Sequence, residues 1–333
     1  MTKEIHLINR PKGVPSLDDF LFTETSLPEL KHDEILIKTL FLSVDPYMRG
    51  RMQDTKSYIP PFKLNEVIVG GGVGQVTESK SENYNVGDFV TGNLNWAEYT
   101  ITTSKNIRKI DSKVAPISTH LGILGMPGLT AYFGLLNIGK PIPGETVVVS
   151  GAAGAVGSAV GQIAKIKGTT VVGIAGSDEK IDYLINDLGF DKAINYKSKT
   201  FTDDLAKALP NGVDIYYDNV GGEVTDEVIK HLNNHARIPL CGAISSYNKI
   251  VDIGPRMQST LIKTSSMIQG FTVGNYTKDF HIAAADLGKW LNEGKLTYNE
   301  TITEGIENVP SAFLGLFNGV NIGKQLVKVS NPK

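Results

Sequence analysis

The stretch SGAAGAVG, Ser150–Gly157, sets glycines where a dinucleotide needs protein backbone close to it. Ala152 stands at the first position of G-x-G-x-x-G, while Gly154 and Gly157 keep the second and third. The second glycine admits the backbone to a pyrophosphate, and the third lets a helix pack on the preceding strand. A helix beginning here turns its free N–H groups and partial positive charge toward phosphates. In such a unit the next strand commonly ends in Asp or Glu, which takes the ribose hydroxyls of NAD. Here the strand TTVVGIA ends in Ala175 and Gly176, and no carboxylate stands at the tip. Small residues there leave room for a 2′-phosphate. Lys180, in the first turn of the helix that Ser177 caps, opposes the helix dipole unless an anion lies beside it. Asp178 and Glu179 already favour the same turn. The cofactor expected is NADP(H).

A second group of residues offers hydroxyl chemistry. Tyr247, in CGAISSYN, follows the strand ARIPLCGA, and open α/β sheets bind ligands beyond the carboxyl ends of their strands. Tyr47, in VDPYMRG, is a second candidate and comes from the other domain. The six histidines, at 6, 32, 120, 231, 235 and 281, are scattered, and none pairs at metal spacing with a thiolate or carboxylate. No metal site is expected, which disfavours alcohol oxidation on zinc. A hydride donor without a metal is most easily used on an activated alkene. Hydride goes to the β-carbon of an enal or enone, charge gathers on the carbonyl oxygen, and a hydroxyl donor stabilises that oxygen. Cys241, the one cysteine, excludes an intrachain disulfide and sits in an apolar strand as a small hydrophobe.

These residues need an ordered frame. From Met1 to about residue 120, short β-like runs such as EILIKTLFLSV and NEVIVGGGVGQVTES are broken by Pro and Gly. From ETVVVS onward the texture alternates strand and helix through ARIPLCGA, which argues for a doubly wound parallel sheet. The segment LGILGMPGLTAYFGLLNIG precedes it, with a break at Pro127 and Gly128, and an amphipathic helix near 280–293 closes it. The tail returns to β-like texture. The domains expected are 1–120, 121–293 and a return over 294–333. A length of 333 residues suits two domains, and the formal charge of −2 gives no reason to expect nucleic acid or an anionic membrane as partner. No window has the apolar length of a membrane span, and the first residues lack a signal-like apolar stretch, so a cytoplasmic protein is expected.

Six segments carry a family resemblance: LSVDPYMRGRM, GMPGLTAYFGLL, VSGAAGAVGS, YDNVGGE, CGAISSYN and NIGKQLVKV. In this order, nearly end to end, the chain resembles the zinc-independent medium-chain reductases of the prostaglandin reductase, leukotriene B4 12-hydroxydehydrogenase and alkenal double-bond reductase family. The resemblance implies an α/β fold, with a Rossmann doubly wound parallel sheet inserted into a β-rich GroES-like domain. It implies that Gly154, Ala155, Val156 and Gly157 meet the pyrophosphate, with Lys180 and Tyr196 at the 2′-phosphate end. It places Asn219, Asn321, the run Cys241, Gly242, Ala243, Ile244, Ser245, Ser246 and Tyr247, and Phe271, Thr272 and Val273 on the cofactor. It links Tyr247 to the nicotinamide ribose and to the enolate. Where zinc-using relatives carry a GHE-type stretch, this chain has Gly70–Gly74, GGGVG, which offers no ligand side chain and reads as tight barrel packing.

Tyr47, Met126 and Tyr276, with Tyr247 and Phe271, would make an apolar aromatic pocket for a lipid-derived enal or enone. Arg49, Arg51 and Arg256 are candidate carboxylate clamps, and SYIPPF a lid or a proline-bearing loop. Relatives commonly form homodimers, so a homodimer is expected. Two rivals stay open: an NADPH-dependent quinone oxidoreductase and a non-catalytic NADPH-sensing protein.

Overall fold

Runs of alternating buried and exposed residues build the first half of the chain into strands. The computed structural model describes residues 1–333. These divide into two units: Met1–Gly122 with Glu300–Asn321 and Gln325–Lys333, and Ile123–Asn299 with Ile322–Lys324. In the first unit, β1 (Thr2–Leu7) and β2 (Phe20–Thr25) form an antiparallel ribbon. They are followed by β3 (Glu34–Ser43), a short helix α1 (Met48–Arg51), β4 (Val69–Ser79), β5 (Phe89–Asn95), β6 (Tyr99–Thr103) and β7 (Ile107–Lys109). Ile35 and Ile37 of β3 point inward and Glu34 and Lys38 outward, the period of two that a half-covered antiparallel strand requires.

The second unit is built from α2 (Met126–Phe133), β8 (Thr146–Ser150), α3 (Ala155–Ile166), β9 (Thr170–Ala175), α4 (Asp178–Asp182), β10 (Lys192–Asn195), α5 (Phe201–Ala208), β11 (Val213–Tyr217), α6 (Gly222–Val228), β12 (Leu232–Leu240), α7 (Gln258–Thr264), β13 (Met267–Gly270) and α8 (Phe280–Asn292). Its sheet has the order β10-β9-β8-β11-β12-β13, with all pairs parallel. Every residue of β8 is buried, which is why TVVVS reads as a continuous apolar run instead of an alternating one. Each fully buried valine there contributes about 1.5–3 kcal/mol relative to exposure. Order reverses between β8 and β11, and the crevice at such a reversal is where ligands bind.

The chain then returns to the first unit with β14 (Glu300–Glu304), α9 (Val309–Asn318) and β15 (Lys324–Lys328). The sheet there runs β14-β15-β3-β4-β5-β7, with β6 also pairing β3. Trp96, fully buried, stacks on Phe20 at 6.1 Å and meets Phe313 of α9 edge-on at 6.2 Å.

Three elements differ from the sequence expectation. The tail contains the helix α9, whose signals were Pro310 near its start, Val309, Ala312 and Phe313 on one buried face, and left-handed Gly319 at its end. The segment after CGAISSYN supplies α7 and a sixth strand, β13, which is four residues long and mostly exposed; pairing with β12, more than its own pattern, makes it a strand. The break at Pro127 and Gly128 is a helix start, with Gly125 as cap and Pro127 inside the first turn. No helix is long and apolar enough to cross a membrane.

Candidate nucleotide-binding active site

The turn after β8 is shaped by two glycines. Gly151 takes the left-handed conformation at φ +59, so it, one residue before Ala152, makes the sharp bend. Ala152 is fully buried, and its N–H donates to Ile174 O of β9 at 3.0 Å. Gly154 caps α3 in an extended conformation, and its N–H donates to Gly151 O at 3.0 Å. A Cβ on Gly157 would overlap Gly151 O and come within 2.7 Å of Ala152 Cα. The glycine fingerprint therefore describes a real steric demand. Ser158 N–H reaches back to Gly154 O at 3.0 Å, which leaves the amides of Ala155, Val156 and Gly157 at the open end of the helix. Gly323 N–H donates to Ala153 O at 2.7 Å, so the segment after Asn321 is laid along the glycine turn.

The tip of β9 carries the 2′-phosphate candidates. Ser177 caps α4, its hydroxyl accepting Lys180 N–H at 3.4 Å. The Tyr196 ring lies over Gly176, where a Cβ would come within 2.8 Å of the ring edge. Lys180 and Tyr196 thus share one tip of the sheet with Ala175 and Gly176. Burial, then the charge of Lys197, holds the Lys180 ammonium below its ordinary range. Lys197, 5.8 Å from the Tyr196 ring centroid, was not among the candidates; its signal was the lysine beside Tyr196 in INYKSK. Asp178 turns toward β10, where Asn195 Nδ2 donates to it at 2.9 Å.

Beyond β11 and β12 two loops meet. Asn219 follows β11, and its amide nitrogen donates to Ser150 O at 2.8 Å. The run Cys241–Tyr247 follows β12; Ser245 N–H and its hydroxyl both donate to Val220 O, at 3.0 and 2.7 Å. Tyr247 folds back over its own loop, and its hydroxyl accepts Ala243 N–H at 3.3 Å. Its proton is left for another acceptor. Burial raises that hydroxyl above the ordinary tyrosine range, and the Ala243 N–H pulls weakly the other way. The Cys241 thiol, beside the Tyr217 hydroxyl, is pushed up to about 12 by burial, which makes it a poor nucleophile. Phe271 meets Tyr217 and Tyr276 edge-on, each at 6.4 Å, while Thr272 and Asn275 cap the turn that carries Val273. Tyr276 stacks on Phe133 at 4.7 Å, and Met126, at the start of α2, is 39% exposed. Beneath both loops lies a buried polar group of Ser150, Asp218 and Thr225, none of them a candidate from sequence.

In the first unit Tyr47 precedes α1, half-buried. Burial and Asp45 push its hydroxyl up, while Arg51 acts against them. Two of the clamp candidates are engaged in structural bonds. Arg49 is buried and donates to Pro11 O at 3.2 Å and Gly13 O at 2.7 Å. Arg51 donates to Pro60 O and Val69 O and lies 3.9 Å over the Phe62 ring. Within SYIPPF, Phe62 is buried and Tyr58 exposed, so one end of that loop is anchored. Arg256 is exposed ahead of α7. The GGGVG run is part of β4, and its glycines face packed neighbours: a Cβ on Gly72 would lie 2.7 Å from Leu94.

A doubly wound parallel sheet with a glycine turn at its reversal point, in a chain that leaves and re-enters a β-rich unit, defines a two-domain nucleotide-dependent oxidoreductase. Residues 3–110 match the family described as the N-terminal domain of oxidoreductase, and residues 155–289 the family described as zinc-binding dehydrogenase. The chain is 59% identical to a Bacillus subtilis protein named NADP-dependent oxidoreductase YfmJ, over 99% of this chain and 98% of that one. It is 44% identical to the NADPH-dependent curcumin reductase of Escherichia coli, over 97% and 96%, and 44% identical to prostaglandin reductase 1 of Bos taurus, over 95% of each. The crystal structure of CurA from Vibrio vulnificus in complex with NADPH superposes with a TM-score of 0.95 at 43% identity, covering 99% of this chain and 100% of that one. The chain belongs to the zinc-independent medium-chain dehydrogenase/reductase family, in the group of prostaglandin reductase 1 and curcumin reductase.

Proposed function

We propose that this protein is an NADPH-dependent reductase of the C=C bond of α,β-unsaturated aldehydes and ketones. NADP(H) is the cofactor, as the names of the Bacillus subtilis and Escherichia coli relatives and the CurA complex have it. The residues present fit it: a helix N-terminus for the pyrophosphate, and Lys180 with Tyr196 at a strand tip that lacks the acid of NAD sites. Bound NADPH would supply a hydride to the β-carbon of the substrate, and the α-carbon would then take a proton from a side-chain hydroxyl or water. Gly154–Gly157 hold the phosphates, and the loops at 219–222 and 241–247, with Phe271, Thr272, Val273 and Asn321, bind and orient the nicotinamide half.

The observation that carries the alkene reading is the state of Tyr247. Its hydroxyl is half-buried and accepts Ala243 N–H, and burial raises it above the ordinary tyrosine range, which suits it to donate to an oxygen that gains negative charge. Tyr47 is the alternative donor. Met126 and Tyr276 would meet the apolar part of the substrate.

The test follows nicotinamide absorbance with NADPH or NADH against nonenal, an aromatic enone and a quinone, with product identification. Oxidation of NADPH yielding a saturated aldehyde or ketone is expected. Turnover of the quinone alone would replace this reading with a quinone reductase, and NADPH binding without any turnover would favour a sensing role. A homodimer is proposed through β13, an edge strand of the nucleotide sheet carrying the half-exposed Met267; light scattering that reports a monomer would remove it.

A further inference from the structure

We propose that Asp218 is the positioning residue of the nicotinamide site, a buried carboxylate that sets the spacing between the two loops framing it. This rests on the proposed binding of NADP(H). Asp218 is 1% exposed, at the end of β11 and at the reversal point of the sheet. One of its oxygens, Oδ1, accepts from Ser150 Oγ at 2.9 Å, Tyr216 Oη at 3.0 Å, Val220 N–H at 3.0 Å and Gly221 N–H at 2.9 Å. The other accepts from Thr225 Oγ1 at 2.6 Å. A carboxylate is the acceptor-only side chain that can meet so many donors at once.

The bonds reach both loops. Ser150 Oγ, while donating to Asp218, accepts Asn219 N–H at 2.9 Å, which fixes the residue next to the carboxylate. Val220 and Gly221, held by Oδ1, lead into α6, and Val220 O holds Ser245. The backbone oxygen of Asp218 accepts Cys241 N–H at 2.8 Å and Gly242 N–H at 3.1 Å. Tyr247 rests on Ala243, the next residue. One residue therefore fixes the loop of Asn219 by its side chain and the loop of Tyr247 by its backbone.

The test uses the full chain carrying Asp218→Asn, titrated with NADPH and with 2′,5′-ADP, which contains the adenosine half alone. The amide keeps one acceptor oxygen and offers an N–H₂ group to Thr225, so the shape is preserved. NADPH affinity is expected to fall about tenfold while 2′,5′-ADP affinity stays within about twofold. Equal weakening of both ligands, or of neither, would overturn the assignment, because a merely structural residue would not separate the two halves. Thr225→Val, which removes the Oδ2 bond and the hydroxyl contact with Tyr216, is the milder second variant, and about a threefold loss confined to NADPH is expected. Unchanged selectivity in both variants overturns the proposal. Because the titrations need no substrate, a failure of the alkene reading appears separately, as wild-type protein that binds NADPH and reduces nothing.

Discussion

Two glycine-rich stretches, GGGVG at 70–74 and SGAAGAVG at 150–157, look alike on paper and do different work. The first lies inside β4, where absent side chains let neighbours close in; a Cβ on Gly74 would meet Ile37 and lie 2.6 Å from Lys38 O. The second lies between a strand and a helix, where the absent side chain on Gly157 lets the helix approach the turn and aim its amides outward. Glycine number does not separate the two. The flanking elements do: β4 runs on as a paired strand, whereas β8 stops at Ser150 and α3 begins at Ala155.

Substitutions at both stretches would break or sharpen this contrast. Gly157→Ala should abolish NADPH binding, a loss of about a hundredfold or more, since the added methyl forces helix and turn apart. Fluorescence titration checks it, and retained affinity would end the phosphate-cradle reading. Tyr247→Phe should lower kcat by about a hundredfold, the cost of one oxyanion donor, while NADPH affinity is nearly unchanged. Should kcat survive, Tyr47→Phe identifies whether the other hydroxyl carries the role. Lys180→Ala should raise the KM for NADPH by about tenfold and leave that for NADH alone. Equal losses would remove the 2′-phosphate assignment.

Gly74→Ala belongs to the other side of the comparison. It should lower stability by about 1–3 kcal/mol, as overpacking does, while the folded fraction binds NADPH normally. Loss of cofactor affinity in that variant would mean the two stretches are not independent. The smallest effect concerns pH. His120, next to Arg108 at 3.4 Å, is held down to about 4 by burial and that charge, from an ordinary 6.5. Between those values the unfolded chain binds more protons, so stability should rise with pH from about 4 to about 6.5 and then level off. Melting curves of wild type and His120→Gln read this, and the variant should lose that part of the slope.

Much of the nucleotide unit was legible because its rules are local. Strand, turn and helix signals for β8, α3, β9 and α4 occur in order, and Ser177 caps α4 as its residue type suggests. The short strand β13 was not legible, since an edge strand of four residues is defined by its partner, β12. Lys197 and Asp218 were missed for a related reason. A lysine on a surface loop and an aspartate in a turn have ordinary local explanations, and what singles them out is what is folded against them, the Tyr196 ring for Lys197 and five donors for the Asp218 carboxylate.

The amino-acid order by itself determined the glycine turn, the missing acid after TTVVGIA and the alternation that makes a parallel sheet, because each depends on backbone sterics or on a period of a few residues. The tertiary structure alone decided that Asp218 gathers five donors, that Tyr247 spends its lone pair on Ala243, and that Arg49 and Arg51 are held by backbone oxygens. Some of these bonds join residues distant along the chain, as Ser150 with Asp218 and Arg49 with Pro11, and the local ones, as Ala243 with Tyr247, form only once the packing has set the shape of their loops.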